Sequence, residues 1–168
     1  MGNSRIIQPT LEYMRAPLHK YTFSIAPIRK WVESNCAGNV LNLFAGQTHL
    51  CVNEVRNDIR ESADATYHMD ALEFVRSWNS DKFDTIVLDP PYSYRKSMEM
   101  YEGKIMSPFQ ALKNTIPNIL HDNGVVITFG YHSVSMGASR KFVQQKILLI
   151  YHGGAIHDTI AVKERRVG

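Results

Sequence analysis

The run Phe83-Asp84-Thr85-Ile86-Val87-Leu88 is broken abruptly by Asp89-Pro90-Pro91-Tyr92. A short run of apolar and β-branched residues bounded by turn signals reads as a buried strand. Proline, with its fixed φ and no N–H, cannot extend a ladder, so the strand must stop before Pro90. An acid and a tyrosine are thereby presented at the edge of a sheet, in the crevice where open α/β sheets bind their ligands. A buried strand of this kind requires neighbours on both sides, and the rest of the chain supplies them.

Ile25, Ile28, Trp31, Val32 and Cys36 recur at helical spacing, with Ser24 as N-cap, Pro27 tolerated in the first turn and Gly38 closing the helix. Residues 40–44 form a short apolar strand ending in Ala45-Gly46; a second strand is expected around Val55 and a third over residues 65–68. Asp70 precedes Ala71, Phe74, Val75 and Trp78, which predicts a helix with Asp70 at its N-terminus. Beyond Tyr92, residues 93–104 read as a polar loop. Ser107-Pro108 opens a helix carrying Phe109, Leu112, Ile116 and Leu120, which Pro117 kinks or ends.

Asn123-Gly124 predicts a turn and residues 124–129 another buried strand. Residues 142–151 and 155–162 are two further strands, joined around His152-Gly153-Gly154 as a hairpin. Residues 1–23 show no clear period and are expected to pack on the domain as a loop, and residues 163–166 to be solvated. The sum is an α/β sheet, mostly parallel, with an antiparallel C-terminal hairpin.

At 168 residues the chain suffices for one domain with a real core. Hydrophobic residues at 44% and charged residues at 21% exclude disordered and fibrous classes. A net charge of +3 leans weakly toward a polyanionic partner. Cys36 and Cys51 lack a CxxC spacing and read as buried free thiols. Without an apolar leader or a run long enough to span a bilayer, a cytoplasmic location and no membrane partner are expected. His152, His157 and Asp158 lack metal-ligand spacing, so no metal is expected.

Residues 40–46 (VLNLFAG), followed by DPPY at 89–92, resemble the Rossmann-like class I S-adenosylmethionine-dependent methyltransferases that modify exocyclic amino groups of nucleic-acid bases. More loosely, through GVVITFGYHS and HGGAIHDTIAV, the chain resembles small adenine-specific methyltransferases associated with phage and mobile elements. The resemblance implies that Phe44, Ala45 and Gly46 turn against the cofactor, S-adenosyl-L-methionine. It implies that Asp89, Pro90, Pro91 and Tyr92 form the catalytic motif, that Asp70 with Ala71 behind it meets the adenine of the cofactor, and that Thr22 contacts the methionine end. Gln47, Thr48 and His49 would lie beside that end as well.

An acceptor for the ribose hydroxyls is expected after the second strand, and Asp58 or Glu54 can supply it. Asp58 is preferred, because only 11 residues separate it from Gly46 and Glu54 would leave a tighter gap still. The helix that usually joins these two strands must be shortened or missing.

The chemistry explains the catalytic motif. An aromatic exocyclic amine is a poor nucleophile, its lone pair being delocalised into the ring. A carboxylate beside a proline carbonyl accepts its two N–H bonds and favours a pyramidal nitrogen aimed at the sulfonium methyl. Tyr92 offers a stacking face for an unpaired base. Tyr131 and His132, after the neighbouring strand, are candidate substrate contacts, and Arg95, Lys96, Arg140 and Lys141 candidate phosphate contacts.

These features predict methyl transfer to adenine N6 of DNA, with an RNA enzyme acting on guanine N2 or adenine N6 as the first alternative. A non-catalytic cofactor- or nucleic-acid-binding module is the second. With no separate segment to read a groove, low sequence specificity or a homodimer is expected.

Overall fold

The computed structural model describes residues 8–91 and 109–168. Tyr92, Arg95, Lys96, the loop at 93–104 and the Ser107-Pro108 cap lie outside the described residues. Strands β1 (Thr10–Arg15), β2 (Val40–Asn42), β3 (Glu54–Arg56), β4 (Phe83–Leu88), β5 (Leu120–Gly130), β6 (Phe142–Tyr151) and β7 (Thr159–Arg166) make one sheet in the order β1-β6-β7-β5-β4-β2-β3. β3, β2, β4 and β5 run parallel, whereas β7 is antiparallel to both β5 and β6. Helices α1 (Ala26–Asn35), α2 (Ala71–Ser77) and α3 (Phe109–Thr115) cover its faces.

β4 lies where the period-two alternation of a half-buried strand gives way to burial on both faces. Ile86 and Leu88 pack with Phe74, Val75, Leu112 and Ile116 of one core, and Val87 packs with Ile28, Val32, Ile127 and Phe129 of the other. Helix α1, with 10 residues, is too short to persist alone and is held by its buried stripe. Ile28 and Val32 are almost wholly buried, each contributing roughly 1.5–3 kcal/mol of burial. Its N-cap is Ile25 rather than Ser24, because the Ser24 hydroxyl is committed to the Tyr21 carbonyl and to His19. Asp70 caps α2 as expected, accepting from the N–H groups of Leu72 (3.0 Å) and Glu73 (3.3 Å).

Gly38, between α1 and β2, has φ +56°, and a Cβ there would fall 2.0 Å from Asp84 Oδ2, the oxygen that accepts the Asn39 N–H at 2.8 Å. Gly38→Ala should therefore lower the unfolding free energy by about 1–3 kcal/mol, measured by urea denaturation. The left-handed backbone and the lost bond act in the same direction.

Several expectations are corrected. Residues 10–15 form β1 rather than a loop, parallel to β6 at the far edge, with Leu11 and Tyr13 outward. The third strand shrinks to a single bridge, Asn57 to Tyr67. Asn123, at φ +65°, turns the chain only locally, as a bulge inside β5 rather than ahead of it, and the register with β4 shifts between Phe83 and Thr85. β7 starts and ends later than expected, so residues 163–166 are not solvated. Glu164 is fully buried and accepts from the N–H groups of Ser135, Met136 and Gly137, pinning the loop that follows β5. Pro117 does end α3, in a 3-10 turn over Ile116–Asn118. Both cysteines are free, but only Cys36 is shielded, its thiol pushed up to about 12 by burial, while Cys51 is exposed. No helix among the described residues is long and apolar enough to cross a membrane.

Candidate active site

In the sheet order β2 stands between β3 and β4, so the chain's winding reverses between β2 and β4. Ligands of doubly wound sheets bind at such a switch point, outside the carboxyl ends of the strands. Both motifs lie there. Asp89 follows β4, and residues 44–46 follow β2, Val87 O accepting the Leu43 N–H at 3.2 Å.

An open cleft is lined by Lys20, Tyr21, Thr22, Phe23, Phe44, Ala45, Gly46, Gln47, Thr48, Arg60 and Asp89. The residues from 20 to 23 reach it because β1 delivers the chain to the carboxyl side of the sheet, where Phe23 anchors it, buried edge-on against Phe129 at 5.4 Å. Asp89 is half-buried at this cleft. Burial pushes its carboxyl up to about 6, and hydrogen bonding to Thr22 opposes the rise. The acid is thus ionised at neutral pH but only loosely so, the state suited to accepting a hydrogen bond from an amine that later loses a proton. Pro90 and Pro91 follow it, half-buried.

The Gly46 turn is built with unusual thoroughness. Gly46 has φ +60°, and a Cβ there would meet only ordinary contacts at 3.7 Å, so the backbone conformation rather than space calls for glycine. Its N–H donates to Asp58 Oδ2 at 2.9 Å, and the Ala45 N–H donates to the Asn57 carbonyl at 3.0 Å. Residues 47–53 contain no helix, as the short spacing required.

A buried ion pair, Glu54 with Arg56 at 2.7 Å, takes over that helix's hydrogen-bonding duties. The Arg56 guanidinium donates to the carbonyls of Ala45, Gly46, Thr48 and Asp64, and the Glu54 carboxylate accepts the Leu50 N–H at 3.0 Å. Glu54 is thereby occupied as a brace and does not border the cleft. Asp58, wholly buried behind Gly46 and Arg60, does not border the cleft either; it accepts from the Gly46 and Arg60 N–H groups and from the Arg60 guanidinium at 3.0 and 3.1 Å.

Of the other expected residues, Thr22 lies in the cleft with Phe44, Ala45 and Gly46. Asp70 is the α2 cap and Ala71 a core residue, and neither borders the cleft. Tyr131 and His132 follow β5, next to the strand that carries Asp89, and both are exposed. Tyr131 meets His157 ring to ring at 5.0 Å. His152 is structural, bonded to the Ala16 carbonyl and the Thr159 hydroxyl. Among the described residues no group of acids, histidines and cysteines could hold a metal. Arg140 and Lys141 precede β6, whose first residue pairs with Arg166 at the amino end of the parallel strands, away from the cleft. Arg140 is held there by Gln110, Asn114 and the Met136 carbonyl. Sequence reasoning missed Lys20, Arg56 and Arg60. Only Arg60, two residues past Asp58, carried a positional hint.

No protein-family model and no curated protein matches the sequence. Solved structures do match the fold. The 1,6-didemethyltoxoflavin-N1-methyltransferase of Burkholderia thailandensis, with 1,6-didemethyltoxoflavin and S-adenosylhomocysteine bound, superposes with a TM-score of 0.59 at 9% identity, over 85% of this chain and 78% of that one. TrmN of Thermus thermophilus gives 0.58 at 13% identity, over 84% of this chain and 48% of that one. The N-methyltransferase NodS of Bradyrhizobium japonicum gives 0.55 at 12% identity, over 82% and 90%. The chain has the class I methyltransferase fold. At these identities the likeness extends to the fold alone; one of these proteins has a small heterocycle bound and another is named only as an N-methyltransferase, so no common substrate emerges.

Proposed function

We propose that the chain is an S-adenosylmethionine-dependent methyltransferase acting on an exocyclic amino group of a nucleic-acid base, adenine N6 of DNA first. The observation that carries this reading is an ionisable, partly shielded carboxyl, followed by two prolines, facing a positive-φ glycine turn across one cleft at the switch point of a class I fold. The cofactor fits the residues present. Phe44, Ala45, Gly46 and Thr22 border the cleft where its methionine and sulfonium part would lie, and the buried Asp58 carboxylate beneath Gly46 is the acceptor a ribose diol needs. Asp70, at the start of α2, is assigned to its adenine.

When bound, the cofactor supplies an electrophilic methyl on sulfur. The chain's residues prepare the other reactant. Asp89 and the Pro90 carbonyl accept the two N–H bonds of the target amine, which localises its lone pair and points it across the cleft. As the N–C bond formed and the methyl's bond to sulfur broke, leaving S-adenosylhomocysteine, one amine proton would pass along the hydrogen bond to Asp89. Tyr92 and Tyr131 are assigned to holding the base by stacking, the exposed ring of Tyr131 already resting on His157.

The test uses purified protein with methyl-labelled cofactor and separate DNA and RNA pools, followed by nucleoside mass spectrometry. N6-methyladenine in DNA is the expected product. N2-methylguanosine or N6-methyladenosine would move the substrate to RNA, and cofactor binding without transfer to either pool would make the chain a binding module.

A further inference from the structure

Arg60 occupies an unusual place. Its guanidinium grips the buried Asp58 carboxylate through Nε and Nη2, and Nη2 lies 3.7 Å from where a Gly46 Cβ would be, so the side chain crosses the face of the turn that borders the cleft. The Tyr21 ring stands opposite, 3.7 Å from the same point and 5.9 Å from the Arg60 carbon Cζ. Arg60 is nevertheless only 5% exposed, wedged between the turn and that ring.

The four N–H contacts that this arrangement makes with Asp58 differ in kind. The Gly46 and Arg60 N–H donors belong to the backbone, whereas the guanidinium is the end of a long side chain with rotatable bonds. A cis-diol presents two adjacent O–H donors in much the same fork as a guanidinium edge, and one carboxylate cannot satisfy both forks.

We propose that Arg60 is a displaceable stand-in for the cofactor's ribose: it keeps Asp58 paired and the Gly46 turn closed until the diol exchanges with the guanidinium. This rests on the cofactor reading given above. The arrangement solves a physical problem, because a carboxylate at zero exposure, held by two backbone N–H groups but with no counter-charge, would be costly in the ligand-free protein. It also carries a consequence. Only the fraction of molecules with Arg60 swung out binds the diol, so the apparent affinity is reduced by that fraction.

Calorimetry with S-adenosylhomocysteine and with its 2′,3′-dideoxy analogue tests the exchange without any turnover. Arg60→Met, which keeps the stem and removes the donors, is expected to bind S-adenosylhomocysteine about tenfold more tightly than the native protein, with Arg60→Gln between the two. The dideoxy analogue should show no such gain. In the native protein, the Arg60 Nε–H NMR signal should lose its protection from solvent exchange when S-adenosylhomocysteine is added, a readout that needs no variant and so survives any folding defect. Weaker binding by Arg60→Met, with the native Nε–H signal still protected in the complex, would overturn the exchange and make Arg60 a direct ligand contact. Failure of the native protein and both variants to bind S-adenosylhomocysteine would overturn the cofactor reading, and this inference with it.

Discussion

Asp89→Asn is expected to lower methyl transfer by about 10²–10⁴-fold while leaving S-adenosylhomocysteine binding within a few-fold of native. The amide keeps the shape but offers one acceptor oxygen instead of two, and its NH₂ points a donor at an amine that itself needs acceptors. Asp89→Ala should lose as much. Activity of the native protein should fall as pH drops through about 6, where the raised carboxyl takes up a proton, and this acid limb should be absent from whatever residual rate the asparagine variant shows.

The same substitution should stabilise the fold. In the native state the carboxyl titrates near 6 rather than at its ordinary 3.8, so between those values the folded chain binds more protons than the unfolded one. Stability contributed by this group is therefore greatest in acid and declines as pH rises through the window. At pH 7 the charge is a net burden, and removing it should raise the unfolding free energy by about 1–3 kcal/mol. Denaturant titrations of both proteins at pH 4 and pH 7 give the answer: the difference should be small at the lower pH and clear at the higher. An asparagine variant less stable at pH 7, yet fully active, would remove Asp89 from the mechanism altogether.

Arg56→Met is expected to have the largest effect on stability, about 3–5 kcal/mol, because it leaves the buried Glu54 carboxylate without its arginine, with the His49 imidazole at 3.5 Å beside it. Four carbonyls, those of Ala45, Gly46, Thr48 and Asp64, lose a charged donor together. For a chain of this size the melting temperature should drop by about 10 °C or more. Glu54→Gln with Arg56→Met should recover part of that loss, since the orphaned charge is gone. Full recovery is not expected, as the carbonyls stay without their charged donor. Cofactor affinity should fall with the single variant even where the protein is still folded, because Arg56 holds the Gly46 turn from beneath. A single variant that melts within 2–3 °C of native would show that water can replace the brace.

These two sites differ in how far they could be read from the chain. Phe83-Asp84-Thr85-Ile86-Val87-Leu88 is apolar on both faces and stopped by prolines, so local chemistry alone sets its type and its end, and β4 has both. Asp70 before an i, i+3, i+4 stripe, and Pro117 inside one, are equally local signals, and both behave as expected. β1 was not legible, because an edge strand with Leu11 and Tyr13 outward shows no core pattern until β6 lies beside it. The burial of Glu164 was not legible either; a Lys-Glu-Arg-Arg tail reads as solvent-facing until three loop N–H groups converge on its one acid.

For the site, the sequence by itself determined the cleft's two walls, the acid after β4 and the glycine turn after β2, together with the absence of the helix after that turn. Each is a consequence of a few adjacent residues and of how proline, glycine and chain length limit the backbone. The tertiary structure decided what stands between and beneath them: Lys20 and Tyr21 brought round from β1 beside the expected Thr22, Arg56 bracing the turn, and Arg60 seated on Asp58. The reason is physical. Arginine and lysine carry their charge on long stems whose partner is chosen by whatever carboxylates and carbonyls the fold brings within reach, and no pattern along the chain records that choice.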